Sequence, residues 1–120
     1  MKKILVVDDE EILRMLICDT LEDLGYEIDE AEDGHEALKK VELQSYDLMV
    51  LDYMMPNVTG IEVIERLSKE TKKKLPILML TAKAQAADRK VVLEKGADYF
   101  MSKPFSPSEL ASVVEEILNA

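Results

Sequence analysis

Five times along this chain a short apolar run gives way to an amphipathic stretch, and this alternation constrains the fold more than any single motif. The segments Lys3–Val7, 48–51 and 76–82 are too short for core helices and apolar at nearly every position. Strands buried on both faces read this way, which implies a parallel sheet with helices on either side. Between them, 11–24 places Leu13, Leu16, Ile17, Leu21 and Leu24 at helical spacing, and Gly25 ends it as a glycine that can take positive φ. The segment 26–31 alternates weakly and reads as a shorter, more exposed strand. Asp33-Gly34 is a turn, followed by a helix over 35–44 with Ala37, Leu38 and Val41 inward.

The second half repeats the scheme. Pro56 and Gly60 bracket a loop before a helix carrying Ile61, Ile64 and Leu67. A helix over 86–95 stops at Gly96, and 99–101 makes a brief fifth strand. Ser106-Pro107-Ser108-Glu109 opens the last helix with a capping box and a proline at its first turn. The expected architecture is an α/β, doubly wound, five-stranded parallel sheet of flavodoxin-like order 2-1-3-4-5, forming one domain over residues 1–120. At 120 residues such a domain can build its core without staples.

In such sheets the functional site lies beyond the carboxyl ends of the strands, at the switch point between strands 1 and 3. The residues at those ends are Asp8 and Asp9, Asp52, Thr81, and Ser102 with Lys103. Two unit charges about 4 Å apart repel by roughly 4 kcal/mol at an effective dielectric of 20, so three carboxylates in one small volume call for a cation. Mg2+ suits a set of oxygen ligands and leaves room for phosphate oxygens. Lys103 supplies a compact positive charge and Thr81 a hydroxyl donor. A carboxylate beside a metal, a lysine and a hydroxyl fits phosphoryl transfer to aspartate. Asp52 stands alone between the flanking groups and is the better nucleophile; Asp8 and Asp9 come as a pair and are the better metal holders. Taken alone, Asp8 and Asp9 could also cap the next helix, which is the reading for Glu10 and Glu11.

Charge and composition exclude other classes. The 15 basic residues face 25 acidic ones, for a net charge of −10, which argues against direct nucleic-acid binding. The basic run from Lys69 to Lys74 reads as a solvated loop. The apolar run after Met1-Lys2-Lys3 is too short for a signal peptide or a membrane span, so a soluble cytoplasmic protein is expected. The single cysteine, Cys18, falls in a helix's apolar pattern and reads as core filler. His35 reads as exposed.

The stretches VVDDE, LDYMMPNVTG, LTA and SKPF, in this order and spacing, resemble the receiver domains of two-component response regulators. The likeness spans the whole chain and is similar to the single-domain chemotaxis type. It implies that Asp52 accepts phosphate from a phosphohistidine on a sensor histidine kinase or a histidine phosphotransfer protein. It further implies that Asp9, Asp52 and the backbone carbonyl of Met54 ligate Mg2+ directly, with Asp8 acting largely through water. Lys103 would contact the phosphoryl group and its bond to Pro104 would be cis, and Thr81 with Phe100 would form the switch pair. Met54 and Lys83 would flank the site where the phosphoryl lifetime is tuned. A downstream protein partner would meet the last two helices and the fifth strand, a face over 86–95, 99–101 and 108–118. The last helix carries Glu109, Glu115 and Glu116 without Lys or Arg, unlike the dimer face usual in winged-helix transcription factors. A stand-alone regulator is therefore favoured, with a receiver excised from a longer transcriptional or enzymatic regulator as the alternative.

Three rivals remain distinguishable. A phosphatase of the haloacid-dehalogenase type would want an acid two residues after the nucleophile, where Met54 stands. A flavin-binding module would want a hydroxyl- and glycine-rich loop after strand 1, where this chain has DDEE. A receiver that works without phosphorylation would have no use for the set Asp8, Asp9, Asp52, Thr81 and Lys103. The expected role is thus a phosphoacceptor in signalling, not an enzyme acting on a separate substrate.

Overall fold

The computed structural model describes residues 2–82 and 89–119. Within them the chain runs β1 (Lys3–Val7), α1 (Glu11–Asp23), β2 (Glu27–Ala31), α2 (Gly34–Leu43), β3 (Leu48–Asp52), α3 (Gly60–Arg66), α4 (Lys69–Lys74), β4 (Ile77–Ala82), α5 (Arg89–Glu94), β5 (Tyr99–Lys103) and α6 (Pro107–Leu118). The five strands form one parallel sheet in the order β2-β1-β3-β4-β5. The expected order is thereby met. Part of the helix expected over 86–95, and Lys83, lie outside the described residues.

Because successive side chains on a strand point to opposite faces, the apolar strands supply two cores. Leu5, Val7, Met49, Leu51, Ile77 and Met79 pack with Ala37 of α2, Val63 and Ile64 of α3 and Val92 of α5. Ile4, Val6, Leu48, Val50, Leu78 and Leu80 pack on the other side with Ile17, Cys18 and Leu21 of α1 and Leu110 and Val114 of α6. Burying each of the Val, Leu, Ile and Met side chains stabilises the fold by about 1.5–3 kcal/mol before entropy is counted. β2 lies at the sheet edge, and of its five residues only Ala31 is buried. Cys18 belongs to the core, and burial pushes its thiol up to about 12.

Local signals set the helix ends. Gly25 and Gly96 adopt positive φ after α1 and α5. Asp33, Thr59, Ser68 and Ser106 each accept a hydrogen bond from a backbone N–H in the first turn of the helix they precede. Thr59 with Glu62, and Ser106 with Glu109, complete capping boxes. The run from Lys69 to Lys74 corrects the expectation of a loop: it is a short helix with no buried residue. Its Ser68 cap, with Glu70 in the first turn and three lysines in the last, follows the helix dipole without an apolar stripe to announce it.

Candidate phosphoacceptor site

The sheet register brings the strand ends together. Val7 pairs with Leu51, so the residues that follow, Asp8 and Asp52, emerge side by side from the two central strands. On the far side Asp52 pairs with Leu80 and Ala82 with Lys103, which aligns Thr81 and Lys103 with the same end of the sheet. The backbone fixes each of them. Asp8 N–H donates to the Ala31 carbonyl at 3.2 Å, and Arg14 donates through Nη1 to the Asp8 carbonyl at 2.8 Å. Tyr53 N–H donates to the Leu80 carbonyl at 2.8 Å, and Gly60 N–H donates back to the Tyr53 carbonyl at 2.9 Å. The loop after β3 is thereby folded onto the strand end. At Gly60 a Cβ would lie 2.6 Å from the Asp52 carbonyl oxygen and 2.9 Å from the Met79 sulfur, so only glycine fits without displacement.

Asp8 is fully buried and Asp52 is 4% exposed. Lys103 Nζ donates to Asp52 Oδ1 at 3.1 Å and lies 3.7 Å from Asp8 Oδ2 and 3.8 Å from Glu10 Oε1. One lysine therefore faces three carboxylates. Burial pushes Asp52 up to about 6; the neighbouring Asp8 charge adds to this, and Lys103 offsets part of it. Asp8 is also raised, chiefly by burial, although the Glu10 N–H it accepts at Oδ1 at 2.9 Å works the other way. Burial pulls the Lys103 ammonium down, but Asp52, Asp8 and Glu10 together outweigh it and hold the group above its ordinary value.

The oxygens of Asp8, Glu10 and Asp52 lie within 4.8 Å of one another. Asp8 Oδ2 is buried and has no hydrogen-bond partner among the described residues. Hard oxygen donors at this spacing, one of them lacking a donor of its own, fit a small divalent cation. Glu10 is the member that the sequence reading assigned to the helix terminus; its carboxylate instead joins the cluster. Asp9 is exposed and outside this grouping, yet close enough to raise Asp8 and Asp52. The pair read together in the sequence thus divides into one buried acid and one facing water.

Thr81 is fully buried, and its Oγ1 has no hydrogen-bond partner among the described residues. Phe100 is half-buried on β5, three residues before Lys103 and paired in register with Met79. Met54 stands in the loop after β3 and is 53% exposed, while Met55 is buried. The Lys103-Pro104 peptide bond is cis, as the resemblance implies. His35 is exposed.

A family model described as the response regulator receiver domain matches residues 4–115. The chain belongs to that family. This receiver domain is 52% identical over 117 residues to the alkaline phosphatase synthesis transcriptional regulatory protein PhoP of Bacillus subtilis, a match covering 98% of the chain and 48% of that protein. It is 39% identical over 118 residues to the phosphate regulon transcriptional regulatory protein PhoB of Escherichia coli, covering 98% of the chain and 52% of that protein. The receiver domain therefore spans about half the length of the curated relatives it matches. Among solved structures it resembles the chemotaxis response regulator CheY4 of Vibrio cholerae at 35% identity and a TM-score of 0.91, covering 98% of this chain and 99% of that one. It also resembles the response regulator protein TrrA of Thermotoga maritima, solved in complex with Mg2+ and BeF, at 42% identity and a TM-score of 0.86, covering 98% of this chain and all of that one.

Proposed function

We propose that this receiver domain, over residues 1–120, takes a phosphoryl group onto Asp52 from the phosphohistidine of a sensor histidine kinase or histidine phosphotransfer protein. The observation that carries the reading is the buried Asp52 carboxylate held 3.1 Å from Lys103 beside the fully buried Asp8. In the transfer an Asp52 oxygen bonds to phosphorus as the bond from phosphorus to the imidazole nitrogen breaks, and the electron pair returns to the ring. Asp52 must be ionised to attack, and with its pKa at about 6 it is mostly anionic at neutral pH. Lys103 is placed to exchange Asp52 for the incoming phosphoryl oxygens, and Thr81 brings a hydroxyl that has no competing partner among the described residues.

Asp8, Asp9, Asp52 and the Met54 carbonyl are the residues assigned to hold Mg2+, which when bound supplies positive charge to the phosphoryl oxygens. Occupation of the site would draw Thr81 toward the phosphoryl group and turn Phe100, passing the state to the face made by α5, β5 and α6 where a downstream protein docks. The domain catalyses only its own modification and its reversal, and works in the cytoplasm. No described helix is long and apolar enough to cross a membrane. The chain's net charge of −10 favours protein partners over nucleic acid. Output as the receiver part of a longer transcriptional or enzymatic regulator, in line with the names of the transcriptional regulatory proteins PhoP and PhoB, is the second reading. The acidic α6, with no basic residue in its last turn, favours a separate protein partner.

Beryllofluoride, a mimic of a bound phosphoryl group, tests the site directly. Fluorine NMR is expected to show a protein-bound signal that requires both Mg2+ and Asp52. A bound signal without Mg2+, or one retained in Asp52→Asn, would overturn the proposal.

A further inference from the structure

Glu10 occupies the N-cap position of α1, yet its side chain makes no cap hydrogen bond. The helix terminus therefore does not account for where its carboxylate goes. The backbone aims it elsewhere: Glu10 N–H donates to Asp8 Oδ1 at 2.9 Å, and the Glu10 carbonyl accepts from Arg14 N–H at 2.9 Å. Its Oε1 comes within 3.8 Å of Lys103, and its carboxylate lies within 4.8 Å of those of Asp8 and Asp52. Independently, the buried Asp8 Oδ2 faces this cluster with no hydrogen-bond donor among the described residues.

We propose that Glu10 is a working member of the cation site, raising its affinity for a divalent metal alongside Asp8 and Asp52; this rests on the reading of the cluster as a Mg2+ site. The charge balance gives the reason. Lys103 Nζ sits inside the cluster and offsets part of the negative charge that Asp8, Asp9 and Asp52 bring. The Glu10 carboxylate, 3.8 Å from that lysine, restores negative charge beside the place an ion would take. Because the Glu10 side chain is 65% exposed, water screens it, and its contribution is smaller than that of either buried aspartate. Partial exposure also leaves it free to follow an ion as the ion enters.

Calorimetric titration of the 120-residue chain with Mg2+ at low salt, beside Glu10→Gln and Glu11→Gln, separates this from a general charge effect. Both substitutions remove one negative charge from an exposed side chain at the same end of α1, and only Glu10 belongs to the cluster. Glu10→Gln is expected to weaken Mg2+ binding roughly fivefold, and Glu11→Gln to leave it nearly unchanged. Thermal melts without Mg2+ establish that both variants are folded. Equal affinities for the two variants would overturn the proposal while the Mg2+ site stands. Failure of the unsubstituted chain to bind Mg2+ would overturn the site reading and this inference with it.

Discussion

Lys103 Nζ lies 3.1 Å from Asp52 Oδ1, which places the one positive charge of the cluster among the described residues against the proposed phosphoacceptor. The lysine thus stands where a cation or a phosphoryl group would also draw charge. Lys103→Met is expected to cost about 2 kcal/mol of stability without Mg2+, since two buried carboxylates lose their counter-charge. The same variant is expected to bind Mg2+ roughly tenfold more tightly, because a competing positive charge is gone. Denaturant unfolding with and without Mg2+, together with calorimetry, checks both. A variant with weakened Mg2+ binding would show that the lysine supports the ion instead of competing with it.

Thr81 carries a buried hydroxyl with no hydrogen-bond partner among the described residues, and a buried polar group left without one costs folding energy. Thr81→Val keeps the shape and removes the polar atom. It is expected to be neutral or to stabilise by up to about 1 kcal/mol, while slowing phosphorylation or uncoupling it from the switch. A loss of more than about 1 kcal/mol in urea unfolding would mean that the hydroxyl is already satisfied.

Gly60 sits against the end of β3, where a Cβ would come within 2.6 Å of the Asp52 carbonyl oxygen. Neither that backbone atom nor the buried Met79 beside it can yield cheaply. Gly60→Ala is therefore expected to destabilise by roughly 2–4 kcal/mol, and to weaken Mg2+ binding because Asp52 is displaced. Thermal unfolding measures the first effect; an unchanged melting temperature would show that the loop after β3 gives way freely.

Asp52, at about 6, and Asp8, shifted in the same direction, keep protons in the folded chain that the unfolded chain has released. Between about pH 4 and about pH 6 the Asp52 contribution to stability therefore declines as pH rises, and its decline is complete above the folded value; Asp8 acts in the same direction. The cation-free chain is expected to gain on the order of 1–3 kcal/mol from Asp52 on going from neutral pH to about pH 4. Asp52→Asn is expected to flatten that dependence. Superimposable pH profiles for the two chains would contradict the raised value.

Much of this was legible because strands and caps are written in local chemistry. Both-face apolar runs predicted the parallel sheet, and the topology alone then pointed to Asp8, Asp52, Thr81 and Lys103, which the structure gathers at one end. What escaped depends on side-chain direction and on elements without a core face. The helix Lys69–Lys74 buries nothing, so no periodicity marks it; its ends are set by the Ser68 cap and by charges that follow the dipole. The division between buried Asp8 and exposed Asp9, and the turn of Glu10 toward Lys103, follow from how the chain leaves β1. Four adjacent acids offer no pattern from which that could be read.

The most direct measurement is the chemical location of the phosphoryl group. Incubation with acetyl phosphate and Mg2+, then reduction with borohydride, converts an aspartyl phosphate to homoserine that peptide mass spectrometry can place. The expected result is conversion at position 52 alone, dependent on Mg2+ and absent from Asp52→Asn. Conversion at Asp8 or Asp9, or labelling that survives Asp52→Asn, would contradict the account at its centre.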